Sequence, residues 1–146
     1  MVSVQETNNQ IENLIQKEVD KLLREKRVDA VIGYSKGTVP LRTSPIIIRN
    51  ERDIDSLVWN NFCSINLAKY LAPYIPTLKD AEGKNLRVGI VSKGCVGRAL
   101  IHLAAENQID LDNITMIGIP CNGVINRSRI LKELQGKEIL EASIED

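Results

Sequence analysis

Two cysteines, two lysines and a set of glycine turns hold most of the chemistry this sequence can offer. Cys95 follows the apolar run Arg87-Val88-Gly89-Ile90-Val91, inside the turn Ser92-Lys93-Gly94-Cys95. Cys121 follows the run from Ile114 to Ile119, inside Pro120-Cys121-Asn122-Gly123. A third apolar run, Ala30-Val31-Ile32-Gly33-Tyr34, leads into Ser35-Lys36-Gly37. If the three runs are strands of one sheet pointing the same way, Lys36, Lys93, Cys95, Cys121 and three glycine turns meet on one rim. Glycine permits close backbone approach and positive φ, and lysine with exposed backbone N–H groups suits phosphate. Glycine and lysine are also common in ordinary strand-to-helix connections, so the spacing is also consistent with plain turns.

The element that must position these groups spans Arg87 to Gly123. The two flanking runs are continuously apolar, as in strands covered on both faces. Between them a helix from about Gly97 to Asn107 puts Ala99, Leu100, Leu103 and Ala104 on one side. This is a βαβ unit, with parallel strands and a right-handed crossover expected. The fold class is therefore α/β, a mainly parallel sheet with helices on both faces, and its ligands belong at the carboxyl ends of the strands.

A thiol at a helix N-terminus beside Lys93 is in a setting that favours thiolate, the form that binds iron or attacks a disulfide. Cys95 is thus the first choice for a functional thiol, Cys121 the second and Cys63 the third. Gly94, Gly97 and the helix start offer N–H groups to a pyrophosphate, with charge from Lys93, Arg98 and Lys36. Gly94-Cys95-Val96-Gly97 is only a fragment of a dinucleotide fingerprint. No C-x-x-C pair is present, and three cysteines are one short of a four-thiolate iron–sulfur site. The single histidine, His102, is expected on the outer side of the crossover helix, away from the rim.

Composition sets the outer limits. With 146 residues, 43% hydrophobic and 26% charged, the chain fits one soluble α/β domain. Aromatics make up only 3%, so the core must be aliphatic. Lys plus Arg and Asp plus Glu balance at 19 each, which leaves no basic field for nucleic acid. No run approaches the length of a membrane span and no leader pattern follows Met1. A cytoplasmic location is expected, and with it free thiols in place of disulfides.

The remaining segments frame the central unit. Residues 1–9 read as frayed, and Asn8 or Asn9 can cap a helix reaching about Lys26, with Ile11, Leu14, Ile15, Val19, Leu22 and Leu23 as its apolar stripe. Pro45 to Arg49 suits an edge strand or hairpin partner, and Glu51 to Leu57 a short helix capped by Asn50 or Asp53. Asn60 or Asn61 is expected to cap a further helix through Leu71, with Cys63 and Asn66 on one side and Pro73 and Pro76 beyond its end. A polar loop covers Thr77 to Asn85. After Gly123, Val124 to Gln135 reads as a helix closed by Gly136. Lys137 to Ile144 reads as a strand, either at an edge or donated to another chain.

Three of these stretches, taken together, resemble a known family. They are Ser92-Lys93-Gly94-Cys95, then Ile117-Gly118-Ile119-Pro120-Cys121-Asn122-Gly123-Val124-Ile125, and Trp59-Asn60 through Asn66-Leu67-Ala68-Lys69-Tyr70-Leu71. In order and spacing they are similar to the amino-terminal part of the beta subunits of deazaflavin-reducing hydrogenases and formate dehydrogenases, including relatives associated with heterodisulfide reductases. The resemblance runs from about Val28 to Ile144.

It implies an electron-transfer subunit of an oxidoreductase that binds FAD together with 4Fe-4S clusters and exchanges electrons with a soluble carrier or partner enzyme. On that basis Lys93, Gly94, Cys95 and Cys121 would lie near flavin or cluster. Ser35, Lys36, Gly37, Ser92, Gly97, Arg98, Asn66, Asn122 and Gly123 are then the further candidates for cofactor contact. Cys95, Cys121 and Cys63 would be iron ligands completed from elsewhere. Members usually continue into a cysteine-rich carboxyl half, so the resemblance implies half of a longer or split flavoprotein, with a cysteine-rich partner or carboxyl half and other redox subunits. Where many members have a polar residue and then Ser or Ala after the first cysteine, this chain has Val96-Gly97. Two other readings stand beside it: a structural or assembly module without cofactor, and a thiol enzyme using Cys95 and Cys121 as a reversible pair.

Overall fold

The computed structural model describes residues 4–39, 41–71, 86–121, 123–124 and 126–133. Its centre is a four-stranded sheet in the order β2-β1-β3-β4, made of β1 (Ala30–Lys36), β2 (Thr43–Ile48), β3 (Val88–Ser92) and β4 (Ile114–Gly118). β1, β3 and β4 are parallel, and β2 returns antiparallel along the outer edge of β1. Every residue from Ala30 to Tyr34 and from Val88 to Ser92 is buried. Successive side chains in a strand point to opposite faces, so both faces of these two strands are covered. The expected α/β architecture is the observed one, and Pro45 lies in an edge hairpin strand, where its missing N–H is tolerated.

α1 (Val4–Arg24) carries its buried stripe at Ile15, Val19 and Leu22. It starts before Asn8, so neither Asn8 nor Asn9 is its cap. Gln and Glu propagate a helix readily, and the Asn8 amide is committed to tertiary structure, donating to Asn61 Oδ1 at 2.7 Å. α2 (Gly94–Ala105) begins three residues earlier than the apolar pattern suggests, with Lys93 at its cap position. Val96 and Leu100 of α2 reach the core, where each fully buried aliphatic side chain contributes about 1.5–3 kcal/mol. α3 (Arg127–Glu133) lies within the helix expected after Gly123. The expected loop at Thr77 to Asn85 and strand at Lys137 to Ile144, as well as Pro73, Pro76 and Gly136, fall outside the described residues.

Two local expectations change. Glu51–Ser56 is a 3-10 turn, and Asn50 makes no capping bond with its side chain. The segment from Asn60 to Leu71 is not one helix. It is an irregular turn followed by a 3-10 turn at Leu67–Tyr70. Asn60 Oδ1 accepts from Phe62 N at 2.8 Å and Asn66 Oδ1 from Ala68 N at 3.0 Å, so side-chain amides replace helical acceptors. The carbonyls a helix would have used are taken by distant donors: Phe62 O by the Thr43 hydroxyl, Cys63 O by Lys93 Nζ, and Ile65 O by the Tyr34 hydroxyl.

Candidate functional site at the carboxyl rim

β3 and β4 place the two exposed cysteines. Ser92 pairs with Gly118 at the last step of the parallel ladder, and Ile119 N adds one more bond to Ser92 O at 2.9 Å. Cys95 and Cys121 each lie three residues past those paired positions, and both thiols are free and exposed. Neighbouring strands run about 4.8 Å apart, so the two cysteine-bearing turns leave the sheet side by side on one rim. Cys95 sits in the first turn of α2, where backbone N–H groups have no intrahelical acceptor.

Lys93 goes inward. The residue is 3% exposed, its ammonium donates to the Cys63 carbonyl, and Nζ lies 5.4 Å from the centre of the Tyr34 ring. The Tyr34 hydroxyl donates to Ile65 O at the edge of normal O–H···O lengths, 2.5 Å, and Trp59 packs edge-on against the ring at 6.1 Å. Burial holds the Tyr34 hydroxyl well above the usual phenol range, with smaller contributions in the same direction from Cys63, Cys95 and Cys121.

Cys63 is 1% exposed, and burial pushes its thiol up to about 11 against modest help from Asn60, Thr43 and Lys93. Its Sγ receives Asn60 N at 3.5 Å and faces Asn60 Oδ1 at 3.8 Å. Asn66 is half-buried and reaches across, its amide donating to Cys95 O at 3.3 Å while its oxygen caps Ala68. Among the described residues no three His, Cys, Asp or Glu side chains gather in a way that could hold a metal.

The other candidates are split. Gly94 is open, since a Cβ there would meet nothing within 4 Å, and a Cβ at Gly97 would meet only Ser92 Oγ at 3.5 Å. Arg98 is exposed on the first turns of α2. Gly123 has φ +118°, a conformation that glycine favours, while Asn122 lies outside the described residues. Ser35, Lys36 and Gly37 are in a β-hairpin and not in a strand-to-helix turn. Gly37 N donates to Arg42 O at 2.8 Å, and a Cβ on Gly37 would sit 2.6 Å from that oxygen, so closing the hairpin accounts for the glycine. His102 is exposed and pairs with Glu106 at 3.3 Å, away from the rim as expected.

A cleft of about 220 Å³ opens beside Cys121, between the start of α1 and the Trp59–Asn61 turn. Thr7, Asn8, Asn60, Asn61, Pro120 and Cys121 are among its walls. Sequence reasoning passed over Tyr34, Thr43 and Asn60 as site residues. The one available signal was Tyr34 itself, a hydroxyl at the end of a strand in a chain with only three tyrosines.

No model of a known protein family matches the chain. Among curated proteins it is 30% identical over 115 residues to the F420-dependent formate dehydrogenase subunit beta of Methanocaldococcus jannaschii, covering 78% of this chain and 28% of that protein. It is 26% identical over 131 residues to the F420-dependent formate dehydrogenase 1 subunit beta of Methanococcus maripaludis, covering 85% of this chain and 32% of the relative. The chain is thus a distant relative of these beta subunits and spans less than a third of the length of either. Among the described residues no helix is long and apolar enough to cross a membrane.

Proposed function

We propose that this chain is the cysteine-bearing module of an electron-transferring oxidoreductase subunit, completed by further polypeptide that supplies the rest of its cofactor sites. One observation carries the reading: Cys95 and Cys121 stand at the same offset beyond paired ends of adjacent parallel strands, both exposed on one rim. Similarity to formate dehydrogenase beta subunits supports the reaction class, electron passage to a partner enzyme or soluble carrier.

FAD suits this rim because Gly94 leaves room for close approach and the first-turn amides of α2 are unsatisfied within the helix. Those amides and Arg98 would hold the pyrophosphate. Lys93 acts from below as a fixed positive charge that favours anionic groups above it, in a region where burial strengthens electrostatics. Cys95 and Cys121 would give two thiolates to a 4Fe-4S cluster, the other ligands coming from a cysteine-rich partner or the remaining length of a longer subunit. Bound flavin and cluster would supply the one- and two-electron exchange. Cys63 is assigned to packing, because its buried thiol is held neutral and engaged by Asn60.

Anaerobic purification together with the partner chain, followed by an absorbance spectrum and flavin and iron assays, tests the proposal. Flavin and iron in the complex are expected. Cys95→Ser or Cys121→Ser should each lower iron content, and Cys63→Ser should leave it unchanged. A colourless complex lacking both would favour the cofactor-free assembly module. Loss of two free thiols on oxidation and their return on reduction, without iron, would favour the reversible thiol pair.

A further inference from the structure

At the opposite rim, where β1 and β3 begin and β2 ends, a broad groove of about 560 Å³ runs between the end of α1 and the Glu51–Ser56 turn. Four cations border it: Lys26, Arg49, Arg52 and Arg87. Arg87 is engaged, with NH2 at 3.3 Å from Asp29 Oδ1 and Nε at 3.4 Å from Oδ2. Glu51 faces Arg24 at 3.7 Å. Lys26, Arg49 and Arg52 are exposed and have no carboxylate partner among the described residues.

Lys26 also occupies an unusual backbone position. It ends α1 in the left-handed region at φ 54°, with Lys26 N bonded to Leu23 O and Arg27 N to Leu22 O. This is the helix-ending motif in which glycine is favoured at the left-handed residue. The end of α2 uses the same pair of bonds with Asn107, a residue that tolerates the conformation well. At α1 a lysine takes a position that costs it backbone strain, and it brings a charge to the groove.

We propose that this groove docks an acidic polypeptide segment of a partner protein. The free cations line the groove from three places in the fold: just past α1, just past β2, and the Glu51–Ser56 turn. That suits successive carboxylates on an extended segment, each met by its own ammonium or guanidinium fork. Charge complementarity of this kind sets partner choice and association rate, and salt weakens it. The groove lies at the other end of the strands from Cys95 and Cys121, so docking and redox chemistry occupy separate surfaces.

The test uses the full chain and a fluorescein-labelled decapeptide of alternating Glu and Ala, titrated by fluorescence anisotropy. Binding is expected at about 20 mM salt and should weaken strongly at about 300 mM. Arg49→Ala with Arg52→Ala should weaken it about tenfold. Lys26→Gly should weaken it by a smaller factor and at the same time raise the melting temperature, because glycine relieves the strained cap. Lys36→Ala with Arg42→Ala, on the hairpin at the cysteine rim, should leave it unchanged, as should Cys95→Ser with Cys121→Ser. Equal peptide affinity in the Arg49/Arg52 variant overturns the proposal. So does displacement of the peptide by tripolyphosphate at concentrations far below the peptide's own dissociation constant, which would mark a phosphate site.

Discussion

Both rims of the sheet carry exposed basic side chains, Lys36, Arg42 and Arg98 at one and Lys26, Arg49 and Arg52 at the other, but only the carboxyl rim also buries a cation. At the carboxyl rim Lys93 is sealed inside, its ammonium on the Cys63 carbonyl and against the Tyr34 ring. At the amino rim Lys26, Arg49 and Arg52 stand in water around an open groove. A buried ammonium pays a desolvation cost and persists only where hydrogen bonds and a ring face offset it. In return its field is little screened and acts on whatever sits within a few ångströms, here the Cys63 carbonyl and the Tyr34 ring. Exposed guanidinium groups cost almost nothing to place, reach farther at low salt, and act on whole molecules approaching. One rim is thereby arranged for chemistry at fixed atoms, the other for encounter.

Truncating one cation from each rim gives the sharpest contrast. Lys93→Ala removes the donor from a buried carbonyl, which costs about 1–3 kcal/mol. It also removes the contact with Tyr34 and the packing of the buried stem, so a total loss of about 3 kcal/mol is expected in urea unfolding. Arg52→Ala should stay within about 0.5 kcal/mol of the parent. Lys93→Met keeps the stem and abolishes the charge. It still strips the donor from the Cys63 carbonyl and should cost about 1–2 kcal/mol, less than Lys93→Ala because the packing of the stem is kept. Equal, small losses for Lys93→Ala and Arg52→Ala would erase the distinction between the rims.

The contrast also explains what could be read in advance. Continuous apolar runs identified β1, β3 and β4, and the alternation of strand and helix gave their parallel order. The expected burial on both faces holds for β1 and β3, whereas β4 leaves Thr115, Met116 and Gly118 exposed and buries only Ile117. The rim that gathers Cys95 and Cys121 was legible for the same reason, since topology alone delivers both turns to one edge. What could not be read was side-chain direction. A lysine beside a glycine turn looks solvent-facing, and only the carbonyl of Cys63, thirty positions away in sequence, turns it inward. The Asn60–Leu71 stretch had helical spacing, yet donors from β1, β2 and the end of β3 took its carbonyls. Such competition lies in long-range hydrogen bonds, which periodicity does not record. The amino-rim groove escaped for a related reason: its cations come from separate stretches around residues 26, 49–52 and 87, and the balanced total charge hid them.

A second measurement probes the buried side of the carboxyl rim by pH. The Cys63 thiol is raised from 9.0 to about 11 by burial. The folded state therefore holds its proton where the unfolded chain has lost it. The contribution is fully present below about pH 9 and is lost as pH rises through about 11, amounting to roughly 2–3 kcal/mol. The Tyr34 hydroxyl, also raised by burial, adds a loss of the same sign in alkali. Urea unfolding at pH 8 and near pH 11 should show this decline, and Cys63→Ala should shrink it while costing some packing at pH 8. An identical decline in Cys63→Ala would place that thiol in contact with water.

The smallest expected effect bears on how the rim holds Cys95. Asn66 does two things: its oxygen caps Ala68 N at 3.0 Å and its amide donates to Cys95 O at 3.3 Å. Asn66→Ala loses both and should cost about 1 kcal/mol. Asn66→Ser separates them, because a hydroxyl can still cap the following turn but is too short to reach Cys95. That variant should keep parent stability within about 0.5 kcal/mol. It should also speed amide hydrogen exchange in the first turns of α2, from Gly94 to Arg98, where one tether from outside the helix has been cut. Unchanged exchange there would mean that the paired strand ends alone position Cys95, and that Asn66 serves only its own turn.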